Sequence, residues 1–437
     1  MSIKRFLSSL ILVCIIQTFS SLSAQQLYFP TIGSPQWQSV SPSSLNYCKP
    51  EIDSLYDYLE SNNTKAFILL KDGRIVLEKY FGSFTKDSSW NWQEASHTLT
   101  AVLFGIAQSK KLIDIKQAVT SYLGEGWTSL NETQEKLITV EDLLRMTSGL
   151  ETEGKDGDCI KPDCLKFKNE AGENWQYHEA SYLVLEKILK AASGKTYNQF
   201  LFNSLRGEIG ISGSYSNKNS TYRSNIRAAA RFALFMLAKG TWKEESIITD
   251  QEVFEQLISP SQNMNLAFGY LTWLNGQESY HLPQSSNLFK GELNPYAPSD
   301  LYIALGKNGQ LINVVPSENL VWVRFGEAPE VGHGTIPAIF NNNIWKRIQS
   351  LDCQAFTIST EDTPTLAPKP GKDEIRITTK IPIQKLMIAD ASGKIQFAED
   401  INSKKLSINT KQFEKGVYFA RIYFSEEIVS TQKFEVK

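Results

Sequence analysis

Glu94 and His97 are the first residues in this chain whose types and spacing could do chemistry. They stand three apart where a polar entry runs into an apolar stretch, WNWQEASHTLTAVLFGIAQSKKLIDI, from Trp90 to Ile115. On a helix that spacing puts a carboxylate and an imidazole on one face. Such a pair can ligate a divalent metal, or tune the imidazole for acid and base work near neutral pH. Glu-x-x-His alone is a weak signal, because polar residues of any kind satisfy a solvent-filled cleft. The helix itself is well marked: Leu99, Val102, Leu103 and Ile106 recur at i, i+3, i+4 and i+7.

The elements that must position this pair follow in order. A helix over Glu51 to Glu60 precedes two β-rich runs, Ala66 to Leu70 and Ile75 to Tyr80, separated by Lys71-Asp72-Gly73-Arg74, a hairpin signal. Helices are expected at Leu112 to Tyr122, Ile138 to Met146, Tyr182 to Ala192 and Arg223 to Lys239. Strands are expected at Phe268 to Leu274, Leu301 to Leu305, Leu311 to Val315 and Leu320 to Phe325, with Lys307-Asn308-Gly309 as a turn, and a closing helix at Ile336 to Leu351. Strands from both ends with helices between make an α+β order. Residues 354–373, rich in Thr, Pro and Gly, read as a linker. Residues 374–437 read as an all-β sandwich.

The 437 residues carry a formal charge of −2, which gives no hint of nucleic acid or an anionic membrane as partner. Lys4 and Arg5 before an apolar run, with small residues to Ala24, read as a signal peptide over residues 1–24. Valine before Cys14 argues against a lipid anchor. No later segment has the roughly 18 apolar residues needed to span a bilayer. An exported chain can form disulfides. Cys159 and Cys164, in DCIKPDC, suit a local staple, and the four cysteines after the signal allow three connectivities. They lack the paired spacing of a zinc site, and no metal or cofactor is expected.

EASHTLTAVLFGIA resembles the active-site helix of the serine β-lactamase and penicillin-binding-protein-like hydrolases, whose signature is Ser-x-x-Lys; here those positions are Glu94 and His97. The resemblance implies a domain over residues 25–353 built as a mixed sheet with a helical insert. It also implies that the first and last helices pack side by side, which would pair Cys48 with Cys353. The family's Tyr-x-Asn falls on Tyr177-His178-Glu179 and its Lys-Thr-Gly on Lys307-Asn308-Gly309. Tyr177 and Lys307 then join Glu94 and His97 as pocket positions, with Glu179, Asn308 and Gly309 bordering the ligand. His178 should point away. Met146 replaces the family's usual histidine before Thr147-Ser148-Gly149-Leu150, a packing change. PKPGKDEIRI, LMIADASGKI and FEKGVYFARIYF resemble the C-terminal sorting domain of Bacteroidetes type IX secretion, implying that machinery as partner and a cell-surface or secreted address.

Acyl transfer in this family needs a serine hydroxyl and a lysine one turn along. Neither stands at Glu94 or His97. True Ser-x-x-Lys strings occur at Ser83 and Ser430, but in an apparent loop and in the last strand. Ser96 is two residues out of register. Two functional classes remain: an exported non-catalytic binder of a peptide, peptidoglycan-like or other acyl ligand, and a hydrolase of esters or amides with altered acid/base or metal chemistry. Lone His281 and His333 read as surface groups. Trp90, Trp92, Trp175 and Trp273 are either cleft walls or core.

Overall fold

The computed structural model describes residues 27–152, 157–216, 220–330, 336–352, 365–368, 374–424 and 429–436. Residues 1–24, Cys353 and most of the expected linker lie outside the described residues. Helix α1 (Lys49–Ser61) has Pro50 in its first turn, where a missing N–H is harmless. Strands β1 (Thr64–Lys71) and β2 (Arg74–Tyr80) follow, joined by Asp72 and Gly73, both at positive φ (50° and 78°), the geometry a two-residue hairpin turn demands. Next come α2 (Ser96–Ser109), α3 (Glu179–Ser193) and α4 (Ile226–Leu237). The domain closes with β3 (Trp273–Leu274), β4 (Tyr302–Gly306), β5 (Gln310–Val315), β6 (Leu320–Gly326) and α5 (Ala338–Gln349).

The six strands form one sheet in the order β3-β4-β5-β6-β1-β2, so strands from the two ends of this domain meet at β6 and β1. Every pairing between these strands is antiparallel. Among the described residues the parallel element that a mixed sheet needs is limited to the Ser39–Ile75 bridge, which lays the N-terminal segment along β2. Helix α4 packs across β5, β6 and β1, and α1 packs beside α5. One continuous apolar core runs from Leu55 to Leu351.

Some expected elements differ, for local reasons. Leu112 to Tyr122 is mostly a packed loop, helical only at Thr120–Leu123, because Ile113, Ile115 and Val119 are buried at a spacing that fits no helix face. Phe268 to Leu274 is strand only at its end, since Leu271 takes a positive φ of 48° and breaks the run. The stretch expected as a helix from Arg223 starts as a strand (Thr221–Ser224), and Asn225 then caps α4 by accepting from the Ala228 N–H at 2.8 Å.

The C-terminal unit is all-β, with strands β7 (Thr365–Pro368), β8 (Glu374–Asp390), β9 (Ile395–Asn409), β10 (Gly416–Tyr423) and β11 (Val429–Val436). β7 lies inside the stretch expected as linker and pairs with the first half of β8, while β10 pairs with the second half. The buried side chains of β8 switch from odd positions (Ile375, Ile377, Ile383) to even ones (Leu386, Ile388) at a register shift between Ile383 and Lys385. Two residues of β8 there stand against three of β9, an irregularity that accompanies the change of inward face and leaves the long strand serving a core shared with Tyr418, Ile422 and Phe434.

Candidate functional site

Glu94 sits in a short 3₁₀ turn, Gln93–Ala95, immediately before α2. Trp92 anchors that turn: its N–H donates to Tyr222 O at 2.8 Å and its indole N–H to Ser224 Oγ at 2.9 Å. Ser96, buried, spends its hydroxyl as acceptor for the Tyr222 N–H at 2.7 Å. From the sheet, the end of β4 comes in against the turn at Gly306, where a Cβ would lie 2.4 Å from Trp92 O and 2.9 Å from Ala95 N. Gly306→Ala is therefore expected to cost about 2–3 kcal/mol, seen as a lower urea midpoint, whereas Ala304→Gly in the same strand should cost about 1.

This close approach delivers the next residue to Glu94. The Lys307 backbone N–H donates to Glu94 Oε2 at 2.6 Å, and Lys307 Nζ lies 3.3 Å from Glu94 Oε1. The same ammonium is 3.7 Å from Glu179 Oε1, at the start of α3. Tyr177 completes the group. Burial first, then the charges of Glu94 and Glu179, hold its phenol protonated well above the ordinary range. Met146 O accepts the Gln176 N–H at 2.9 Å and so fixes the segment that presents Tyr177; Met146 itself is buried, at a φ of 60°.

His97 is 4 % exposed, stacks on Tyr182 with 3.4 Å between ring centroids, and leaves Nδ1 buried without a hydrogen-bond partner among the described residues. Burial, then the Lys307 charge, pushes its pKa down to about 3. The imidazole is thus neutral in the fold and protonated in the unfolded chain below the ordinary value near 6.5. Its contribution to stability is whole above pH 6.5 and is lost as pH falls toward 3. His97→Asn should flatten the dependence of unfolding free energy on pH in that window by up to one proton, about 1.4 kcal/mol per pH unit, measured by urea titrations at several pH values.

The structure thus brings Glu94, His97, Tyr177, Glu179 and Lys307 to one place. Asn308 and Gly309 follow Lys307 in the chain, and their backbone carbonyls face Arg324. Lys307–Gly309 is a 3₁₀ turn between β4 and β5, the Asn308 and Gly309 carbonyls accept from Arg324 Nη1 at 2.8 and 2.9 Å, and a Cβ on Gly309 would meet Arg324 and Phe340. His178 caps α3, its Nδ1 accepting from the Ser181 N–H at 3.3 Å. Ser83 is exposed in a turn and Ser430 lies in β11. Trp92 is core and Trp90 half-buried, whereas Trp175 and Trp273 pack around Tyr177. His333 is outside the described residues. Among the described residues no three His, Cys, Asp or Glu side chains are placed to hold a metal ion, so the Glu94 and His97 pair is not completed into a ligand set.

The space around these groups divides in two. Glu94, His97, Tyr177 and Trp273 surround a cavity of about 10 Å³, room for no more than one water. On the other side of Tyr177 opens a cleft of about 490 Å³, lined among others by Lys168, Asn174, Trp175, Met264 and His281. Sequence reading missed this cleft because its walls come from three separate loops. The local staple Cys159–Cys164 is formed, with 5.9 Å between Cα atoms. Cys48 is disulfide-bonded, and the Tyr47–Asp352 bridge brings the two chain segments together; Cys353, its expected partner, lies outside the described residues.

Comparison with known proteins agrees with this architecture. The β-lactamase family model matches residues 62–217, and that of the secretion system C-terminal sorting domain matches residues 365–437. No curated protein matches the chain. Similar solved structures include a proposed 6-aminohexanoate-dimer hydrolase from Bacillus anthracis, with 16% identity, TM-score 0.55 and coverage of 73% of this chain and 88% of that one. A penicillin-binding protein homologue from Caulobacter crescentus has 13% identity and TM-score 0.53, covering 70% of this chain and 98% of its own. At such identities the likeness is one of fold. No described helix is long and apolar enough to cross a membrane, and the sorting domain marks the protein for export to the cell surface or beyond. The chain is an exported protein that joins a β-lactamase-family domain to a C-terminal sorting domain of the type IX kind.

Proposed function

We propose that the β-lactamase-family domain is a non-acylating binding domain, and that its ligand, a peptide, peptidoglycan-like or other acyl compound, lies in the 490 Å³ cleft beside Tyr177. One observation carries this reading: the Glu94 carboxylate already occupies the backbone N–H and the ammonium of Lys307, at 2.6 and 3.3 Å. A backbone N–H aimed into a dry pocket is the group that would stabilise an acyl oxyanion. Here it is taken by the protein's own anion, with room for no more than one water beside it. Altered acid/base chemistry finds little support, since His97 accepts a proton only near pH 3 and Tyr177 holds its own. The cleft offers aromatic faces, amides and the Lys168 ammonium, the surface an acyl-amide chain carrying a carboxylate uses.

The test is intact mass after incubation with a fluorophosphonate and, separately, a penicillin, followed by calorimetry with muropeptides. No adduct and a measurable affinity that falls about tenfold in Trp175→Ala are expected. A stoichiometric adduct, or turnover abolished by Glu94→Ala, would overturn the proposal.

A further inference from the structure

A second cavity, of about 270 Å³, lies away from Glu94 and Lys307 and shares no lining residue with either space above. Four separate segments enclose it: the N-terminal segment at Gly33–Trp37, the loop carrying Lys86 and Asp87, the Gly210–Ser212 loop, and the first turns of α4. Arg231 is its deepest charge. The side chain is 6 % exposed, lies near the rings of Trp37 and Trp242, and donates only to carbonyls, those of Pro30, Thr31 and Ile209, at 2.9–3.1 Å. Among the described residues no carboxylate pairs with it. Arg227 differs, being held by a bidentate contact to Glu78 at 2.6 and 2.7 Å.

Lys86 is the third cation on the wall. Among the described residues three cations stand against two carboxylates, Asp87 and the Glu78 already paired with Arg227, which leaves one positive charge beside an open space. We infer that this cavity binds a small organic monocarboxylate, its oxygens meeting Lys86 and Arg231 and its apolar part lying against Trp37 and Pro35. A buried guanidinium satisfied only by carbonyls keeps most of its desolvation penalty, and burial indeed pulls Arg231 down to about 10. A bound carboxylate offsets that penalty by charge and by charge-assisted hydrogen bonds. The volume exceeds that of a bare inorganic ion, which favours an organic acid over phosphate or chloride.

The experiment uses the full chain, with acetate and benzoate as probes at constant ionic strength, read by thermal shift and calorimetry. A saturable rise in Tm is expected, with benzoate above acetate and affinity falling about tenfold in Lys86→Ala. Ser212→Asp, which places a carboxylate on the cavity wall, should raise Tm without added acid and abolish the response. Equal shifts from chloride, a stronger response to phosphate than to benzoate, or an unchanged response in Ser212→Asp would each overturn the inference.

Discussion

A chain carrying Glu94→Ser and His97→Lys together is expected to form one fluorophosphonate adduct per molecule where the natural chain forms none. The first substitution removes the carboxylate that occupies the Lys307 N–H and supplies a hydroxyl at the start of α2. The smaller side chain also enlarges a cavity that now measures about 10 Å³. The second puts an amine one helical turn along, where the imidazole, held near 3 by burial, cannot take the hydroxyl proton at neutral pH. Tyr177 and Lys307 stand in place around both positions. Glu94→Ser alone should stay unlabelled, since His97 remains neutral and weakly basic. Intact mass gives the stoichiometry and peptide mapping the position. A double variant that melts like the natural chain but takes no label would mean that positions 94 and 97 are not the nucleophile and base positions of this fold.

What could be read in advance follows the range of the interactions that decide it. The Asp72-Gly73 turn and the apolar stripe of α2 are set by residues next to one another, and both stand where the sequence places them. The gathering of Glu94, Tyr177, Glu179 and Lys307 was legible only through family resemblance, since no periodicity links residues so far apart in sequence. Their actual contact was not legible. It depends on Gly306 letting two backbones approach, a fact of tertiary packing. The contacts of Asn308 and Gly309 were hidden for a related reason: a three-residue motif does not show that the turn directs its carbonyls toward Arg324. The 270 Å³ cavity left no trace in the sequence, because four remote segments and a buried arginine build it.

Arg324 governs the other side of the same turn, and its loss should be the most damaging single change in the domain. The side chain has no exposed surface. Its guanidinium donates to Thr64 Oγ1, to the carbonyls of Asn308 and Gly309, and to those of Asn62 and Glu327, at 2.7–3.0 Å, with the Phe340 ring 5.1 Å away. Arg324→Met keeps the length and apolar bulk but leaves four carbonyls and a hydroxyl without their donor. At about 1 kcal/mol for each buried acceptor, less some recovery by water and relaxation, the loss should be about 3–5 kcal/mol. Arg324→Lys restores three donors from a single point and should recover only part of it. Because the guanidinium fixes both carbonyls that follow Lys307, the variant should also loosen the Lys307 contact to Glu94. Faster hydrogen exchange at the Lys307 amide would report that, measured beside the urea midpoint. An Arg324→Met chain that lost stability while keeping full protection at Lys307 would show that the turn is held by Gly306 and Glu94 without the arginine.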